Sequence, residues 1–137
     1  NVRLILEPGI AEMAALNATE EAILELRCCC ERVEERIASG DMYIQDDIAF
    51  HTSVARCSGN KVVEQLIPII DTAVMMFVNV THQRLTKETV MTHRAIVDAI
   101  SDRDPIGAKT AMMMHMTYNR NMILKLIREE KEKNHKE

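Results

Sequence analysis

The sequence predicts an all-α protein, an antiparallel bundle of about six helices. Of its 137 residues, 47% are hydrophobic and 28% are charged, whereas only 4 are glycine and 3 are proline. Few residues therefore break helices, and the abundant Leu, Ile, Met, Ala, Glu and Lys favour them. Capping and turn signals recur at short intervals, so consecutive helices are expected to pack antiparallel within one domain. Aromatic residues make up only 3%, which predicts an aliphatic core rich in methionine.

The first half of the chain is predicted to form three helices. The first runs from Val2 to Leu16, with Pro8 as a boundary or a kink, because proline lacks a backbone donor. Thr19 caps the second helix, which carries acidic residues in its first turn and ends at Ser39-Gly40. The third helix runs from about Met42 to Cys57.

The second half is predicted to form three more helices. After the turn Ser58-Gly59-Asn60, Asn60 caps a fourth helix from Lys61 to about His82. An apolar run in this helix is predicted to be largely buried: Val62, Val63, Leu66, Ile67, Ile70, Val74 and Phe77. Thr86 opens the fifth helix, which ends near Ser101. Asp104-Pro105 opens the sixth, a long helix that is expected to fray into a charged tail over 129–133.

Charge and hydropathy narrow the class of protein. The formal net charge is −4 and the basic residues form no stripe, which argues against direct contacts with nucleic-acid phosphates. No apolar stretch reaches the roughly 20 residues that span a bilayer, so no membrane association is predicted. The start at Asn1 shows neither an initiator methionine nor a signal-peptide pattern. We therefore expect a cytoplasmic protein, present here as a fragment or an excised domain.

The four cysteines, Cys28, Cys29, Cys30 and Cys57, do not predict a metal site. Three consecutive helical residues point about 100° apart and cannot converge on one ion. The paired spacing of a structural zinc site is also missing. We expect free thiols, buried or half-buried, in a reducing compartment.

Four other residues are candidates for a mononuclear metal site. Asp47 and His51 lie about one helical turn apart and leave the same face of the third helix. His93 and His115 lie in the inward apolar stripes of the fifth and sixth helices. Each could instead be a hydrogen-bonded core residue, but coordination would satisfy all four polar groups at once. Such a donor set suits Zn or Ni, with Mn or Fe as further possibilities. The two remaining histidines, at 82 and 135, are predicted to lie on the surface.

The chain resembles the C-terminal, all-helical effector-binding domain of GntR-superfamily transcription regulators of the FadR type. The resemblance covers essentially all 137 residues and is carried by the order and spacing of several short matches. These are Arg3-Leu4-Ile5-Leu6-Glu7-Pro8, Ala14-Ala15, Asp47 to His51, Ser58-Gly59-Asn60, His93-Arg94-Ala95-Ile96, Ala99-Ile100 and His115.

The resemblance implies more than the spacing does. Metal-binding members of the family hold a divalent ion with one Asp and three His, which match Asp47, His51, His93 and His115. Similar proteins bind a small carboxylate effector beside the metal, often with an arginine at the position of Arg3. A guanidinium suits a carboxylate, although Arg3 could instead form a surface salt bridge with Glu7.

Further expectations concern the whole regulator. Residues 1–137 would then be an effector-binding and dimerisation domain, enclosing a metal and effector cavity. The resemblance implies a homodimer, and contact with DNA only through an N-terminal winged-helix domain absent from this chain. Helical phase adds Asn119, one turn after His115, as a second residue facing the effector.

Two other functions are compatible with the same residues. One is a metal-dependent helical-bundle enzyme, since an open metal position can activate water. No general base is apparent beside the four donors, because Asp46 points about 100° away from Asp47, so we expect no catalysis. The other is a dimerisation module whose metal only staples the bundle and which binds no effector.

Overall fold

The computed structural model describes residues 2–77 and 85–136, and all regular secondary structure in these ranges is helical. The described residues form six α-helices, which confirms the predicted fold class. They are α1 (Val2–Asn17), α2 (Glu20–Ala38), α3 (Ile44–Cys57), α4 (Lys61–Phe77), α5 (Thr86–Ser101) and α6 (Pro105–Lys136).

Three predicted helix caps are confirmed. The side-chain oxygens of Thr19, Asn60 and Asp104 accept backbone N–H groups from the first turns of α2, α4 and α6, at 3.1, 3.0 and 2.9 Å. Two turns use the left-handed backbone conformation that glycine adopts at low cost, at Gly40 (φ 72°) and Gly59 (φ 74°). Local signals therefore account for the starts of α2, α4 and α6 and for the turns after α2 and α3.

Some helix boundaries differ from the prediction. Pro8 lies inside α1 and is buried, so packing of α1 against its neighbours offsets the backbone hydrogen bond that proline cannot donate. Helix α3 begins at Ile44, two residues later than expected. The prediction that α6 frays over 129–133 is wrong: the helix continues to Lys136, with mostly exposed side chains in its last two turns. The predicted end of the fourth helix near residue 82, and the histidine there, lie outside the described residues.

Helix α4 is less buried than predicted. Ile67 is 1% exposed, whereas Val62 is 72%, Leu66 38% and Ile69 68% exposed. The reason is that α4 packs mainly against α3, on one side only. Val62, Leu66 and Ile69 are spaced four and three residues apart and share the opposite face, which we call the α4 stripe.

The core lies around α1. This helix packs against α6 and α3 and also contacts α5, while α2 packs against α3 and α5. The buried set is mainly aliphatic, as expected, and includes Leu26, Val33, Phe50, Ile96, Ile100 and Met112. It is not rich in methionine, because among the described residues only Met75, Met112 and Met116 are buried and four other methionines are exposed. No helix within the described ranges is long and apolar enough to cross a membrane.

The cysteines are free thiols, as predicted. Cys29, Cys30 and Cys57 are buried, and burial raises the pKa of Cys30 to about 12 and that of Cys57 to about 11. The expectation of burial is wrong for Cys28, which is exposed because it points away from the inward stripe of α2.

Candidate metal centre

Three helices bring four polar side chains together in the core. Helix α3 contributes Asp47 and His51, α5 contributes His93, and α6 contributes His115. None is more than 2% exposed. One donor atom from each lies within 4.8 Å of the donors of the other three. We call this set the donor quartet.

The distances inside the quartet suit coordination of one ion. His51 Nε2 lies 3.1 Å from His115 Nε2 and 3.4 Å from Asp47 Oδ1, and His93 Nε2 lies 3.1 Å from the same oxygen. Ligands about 2.0–2.1 Å from a tetrahedral zinc ion are roughly 3.3–3.4 Å apart, and neighbouring ligands of an octahedral ion of similar size are about 3.0 Å apart. These three donor–donor distances lie in the range that either geometry requires.

A second group of buried charges adjoins the quartet. Glu7 Oε1 lies 2.6 Å from His51 Nδ1, and Glu7 Oε2 accepts a hydrogen bond from Arg3 Nε at 2.8 Å. Arg3 Nε also lies 3.2 Å from Asp71 Oδ1, which joins α1 to α4. Asp71 Oδ2 is 4.0 Å from His51 Nδ1. Arg3, Glu7 and Asp71 are at most 3% exposed, so we call them the buried charge cluster.

The sequence prediction missed part of this cluster. The alternative of a surface salt bridge between Arg3 and Glu7 is correct in its partners but wrong in its location, because the pair is buried. Asp71 is not among the predicted site residues, although a carboxylate inside the apolar run of α4 is a signal that the sequence contains. A buried charge in an apolar stripe needs a partner, and its partner here comes from another helix.

The electrostatics of the site favour a bound cation. Among the described buried residues, Glu7, Asp47 and Asp71 oppose the single guanidinium of Arg3, which leaves two negative charges when the histidines are neutral. A divalent ion would balance that excess. Without one, protons compensate. Burial and the charge of Glu7 raise the pKa of Asp71 to about 7.

The pKa values of His51 and His115 are shifted in opposite directions by their surroundings. Burial alone would lower the pKa of His51, but the carboxylates of Glu7 and Asp47 outweigh it and raise that pKa to about 10. For Glu7 burial would raise the pKa, yet His51 and Arg3 lower it to about 2. His115 has its pKa lowered well below the usual value by burial and by the neighbouring imidazoles. His115 is thus neutral and able to donate a lone pair to a metal.

The two predicted effector residues lie at different distances from the donors. The amide Nδ2 of Asn119 is 3.5 Å from His115 Nε2, so this half-buried side chain does face the quartet. Arg3 is connected to the quartet through Glu7. Two grooves of about 440 and 430 Å³ lie elsewhere, one lined by residues of α2, α3 and α4 and the other by residues of α5, α6 and the turn between them. Neither groove is lined by the quartet.

The six described helices surround a buried cluster of three histidines and one aspartate, and they define an all-α domain with metal-ligand types of side chain in its core. The FCD domain family matches residues 1–118, and the chain belongs to this family, the C-terminal effector-binding domain of GntR-type regulators. The expected family is therefore confirmed.

Individual relatives agree with this assignment. The HTH-type transcriptional repressor NanR from Citrobacter rodentium is 29% identical over 84% of this chain and 46% of its own length, and NanR from Klebsiella aerogenes gives the same values. The solved structure of Streptococcus agalactiae GntR superposes with a TM-score of 0.78 and 30% identity, over 88% of this chain and 55% of that one. The chain spans about half the length of these curated relatives, which are transcription regulators and not enzymes.

Proposed function

We propose that this domain senses a small carboxylate through a divalent metal ion and thereby controls DNA binding by an attached winged-helix domain. The observation that carries the proposal is the donor quartet, four buried side chains of the types that bind metals, with donor atoms within 4.8 Å of one another. The chain belongs to a family of regulator domains, which supports sensing over catalysis.

The metal would be held by Asp47, His51, His93 and His115. Three neutral nitrogen donors and one carboxylate suit Zn or Ni, and Mn or Fe are compatible. The bound ion would supply a positive centre that attracts a carboxylate or another oxygen ligand. A six-coordinate ion keeps open positions beside these four ligands.

The effector would bind beside the metal, near Asn119 and Arg3. The contact of the Asn119 amide with His115 supports the first of these residues. Arg3 is already paired with Glu7 and Asp71, so an effector carboxylate would compete with Asp71 for the guanidinium. Exchange of one carboxylate for another would alter the ion pair between α1 and α4, and so give the effector different affinities for two states of the domain.

A homodimer is part of the same proposal. The α4 stripe exposes Val62, Leu66 and Ile69 together, and contiguous exposed apolar side chains are typical of protein contact surfaces. Two copies that meet through this face would set the spacing of two DNA-binding domains. A shift of α4 on effector binding would then change that spacing.

The first experiment measures metal content in protein purified without chelators. We expect about one divalent ion per chain in the wild type and none in an Asp47→Ala/His93→Ala double variant. His135→Ala, which removes an exposed histidine from α6, is the matched control and should retain the ion. A wild-type protein without metal, even after incubation with Zn²⁺, Ni²⁺, Mn²⁺ or Fe²⁺, would disprove the proposal.

A further inference from the structure

Two side chains outside the donor quartet contact its imidazoles at the far ring nitrogen. Glu7 Oε1 lies 2.6 Å from His51 Nδ1, and Thr92 Oγ1 lies 2.8 Å from His115 Nδ1. Both rings direct Nε2 towards the quartet, where these two nitrogens are 3.1 Å apart. Each histidine thus bridges an inner donor cluster and an outer polar partner.

The contacts of Thr92 favour a hydrogen bond in which its hydroxyl accepts from His115. Its hydroxyl has one hydrogen, which it donates to the backbone carbonyl of Glu88 at 2.7 Å, with the carbonyl of Thr89 at 3.3 Å. The lone pairs of Oγ1 are then left for His115. When Thr92 donates to the carbonyl of Glu88, the hydrogen of its contact with His115 is on His115 Nδ1, and the lone pair of the neutral ring is on Nε2.

Glu7 acts in the same way on His51. Its second oxygen accepts a hydrogen bond from Arg3 at 2.8 Å, so the group is a carboxylate held by a guanidinium and can only accept. His51 Nδ1 must then carry the hydrogen that points at Glu7. Nε2, on the opposite side of the ring, is the atom available to a metal.

Glu7, His51 and Asp71 could themselves be mistaken for a second metal site, because their ligand atoms also lie close together. Arg3 argues against this. Its Nε lies within 3.2 Å of both carboxylates, so the guanidinium already provides the positive charge that a second cation would supply. The cluster is better explained as support for His51.

We propose that Glu7 and Thr92 are positioning residues, which keep the hydrogens of His51 and His115 on Nδ1 and present both Nε2 lone pairs to the divalent ion. This inference rests on the proposed function. Partners of this kind orient metal-bound histidines in other proteins, and losing one typically weakens metal binding roughly 10–100-fold.

The test compares Zn²⁺ affinities at one pH, by competition with a chromophoric chelator. Thr92→Val keeps the shape of the side chain but removes the acceptor, and should weaken binding by about tenfold or more. Thr92→Ser restores a hydroxyl and should bind nearly as the wild type does. Glu7→Gln should weaken binding by roughly 10–100-fold.

The Asp71→Asn variant distinguishes the orienting hydrogen bond of Glu7 to His51 from the effect of a nearby negative charge. It removes one negative charge 4.0 Å from the same nitrogen of His51 but no hydrogen bond to that ring. We expect its Zn²⁺ affinity to change much less than that of Glu7→Gln. Equal losses in these two variants, or wild-type affinity in Thr92→Val, would show that positioning is not the cause and overturn the inference.

Nitrogen NMR of metal-free wild-type protein gives a second test that needs no variant. His115 should carry its hydrogen on Nδ1, and finding it on Nε2 would overturn the inference even if Thr92→Val does not fold. A wild type that binds no metal would instead defeat the proposed function, and this inference with it. If the wild type binds Zn²⁺ and the Thr92→Val and Glu7→Gln variants bind it equally tightly, only this inference would be overturned and the proposed function would stand.

Discussion

Phe50 supports the donor quartet from one side. Its ring is fully buried and stacks on the imidazole of His93, with centroids 3.9 Å apart and an angle of 16° between the planes. It also meets the edge of His51 at a centroid distance of 5.5 Å. This one aromatic side chain therefore restrains two of the three histidines, in a protein with few aromatic residues.

Replacing Phe50 by alanine should lower the free energy of unfolding by about 3–5 kcal/mol, because a cavity replaces a filled core position. Urea unfolding of the metal-free protein, followed by circular dichroism, measures this loss. Ile5→Ala in α1 is the control, since Ile5 is 77% exposed and should cost no more than about 0.5 kcal/mol. A similar, small loss in both variants would contradict the role given to Phe50.

At the residue scale, local geometry was enough to predict that the quartet shares the interior. Asp47 and His51 face the same way because they lie one turn apart, and His93 follows the inward stripe of α5. The partners of these residues could not be predicted in this way. The contact of Glu7 with His51 depends on how α1 meets α3, and that of Asp71 with Arg3 on how α4 meets α1.

Helix α4 shows the limit of periodicity at the element scale. Its N-cap, Asn60, follows from a local signal, but apolar residues lie on almost every face, so the pattern does not identify the buried side. Ile67 faces the core, whereas the α4 stripe faces outward. The position of α4 at the edge of the bundle, where it packs mainly against α3, decides which apolar residues are covered.

We expect Ile69→Lys to convert a dimer into a monomer without unfolding the chain, because a charge in the α4 stripe would be buried at the contact between two copies. Light scattering after size-exclusion chromatography measures the mass, and circular dichroism checks the helical content. Leu24→Lys is the control: Leu24 is 65% exposed on α2, so this variant should remain dimeric. A wild type with the mass of one chain would refute the dimer. An Ile69→Lys variant with the mass of two chains would place the contact elsewhere.

At the scale of the whole molecule, the quartet and the buried charge cluster join five helices. Arg3 and Glu7 come from α1, Asp47 and His51 from α3, and the remaining groups from α4, α5 and α6. Bringing so many carboxylates together in the core is unfavourable unless positive charge accompanies them. Metal binding should therefore be linked to folding of the bundle as a whole.

Saturating metal should raise the stability of the folded domain. An ion that binds only the folded state at 100 times its dissociation constant adds about 2.7 kcal/mol to the free energy of unfolding. Thermal unfolding with Zn²⁺ should therefore show a higher Tm, and a chelator should reverse it. The Asp47→Ala/His93→Ala variant should show no shift, whereas His135→Ala should respond like the wild type. An equal shift in the double variant would locate the ion outside the quartet.

The response of metal-loaded protein to carboxylates distinguishes a sensor from a bundle that metal merely staples. If the domain is a sensor, at least one acid among lactate, gluconate, citrate and acetate should raise the Tm of the Zn²⁺-loaded wild type further, because the ligand binds the folded state. Arg3→Lys keeps a positive charge beside Glu7 and Asp71 but loses the planar fork that matches a carboxylate. This variant should keep its metal and lose most of the carboxylate response. Arg36→Lys, at a 54% exposed arginine paired with Asp46, should keep both. An undiminished response in Arg3→Lys would exclude Arg3 as the carboxylate partner. A wild type that responds to none of these acids would favour a domain in which the metal only stabilises the bundle and no effector binds.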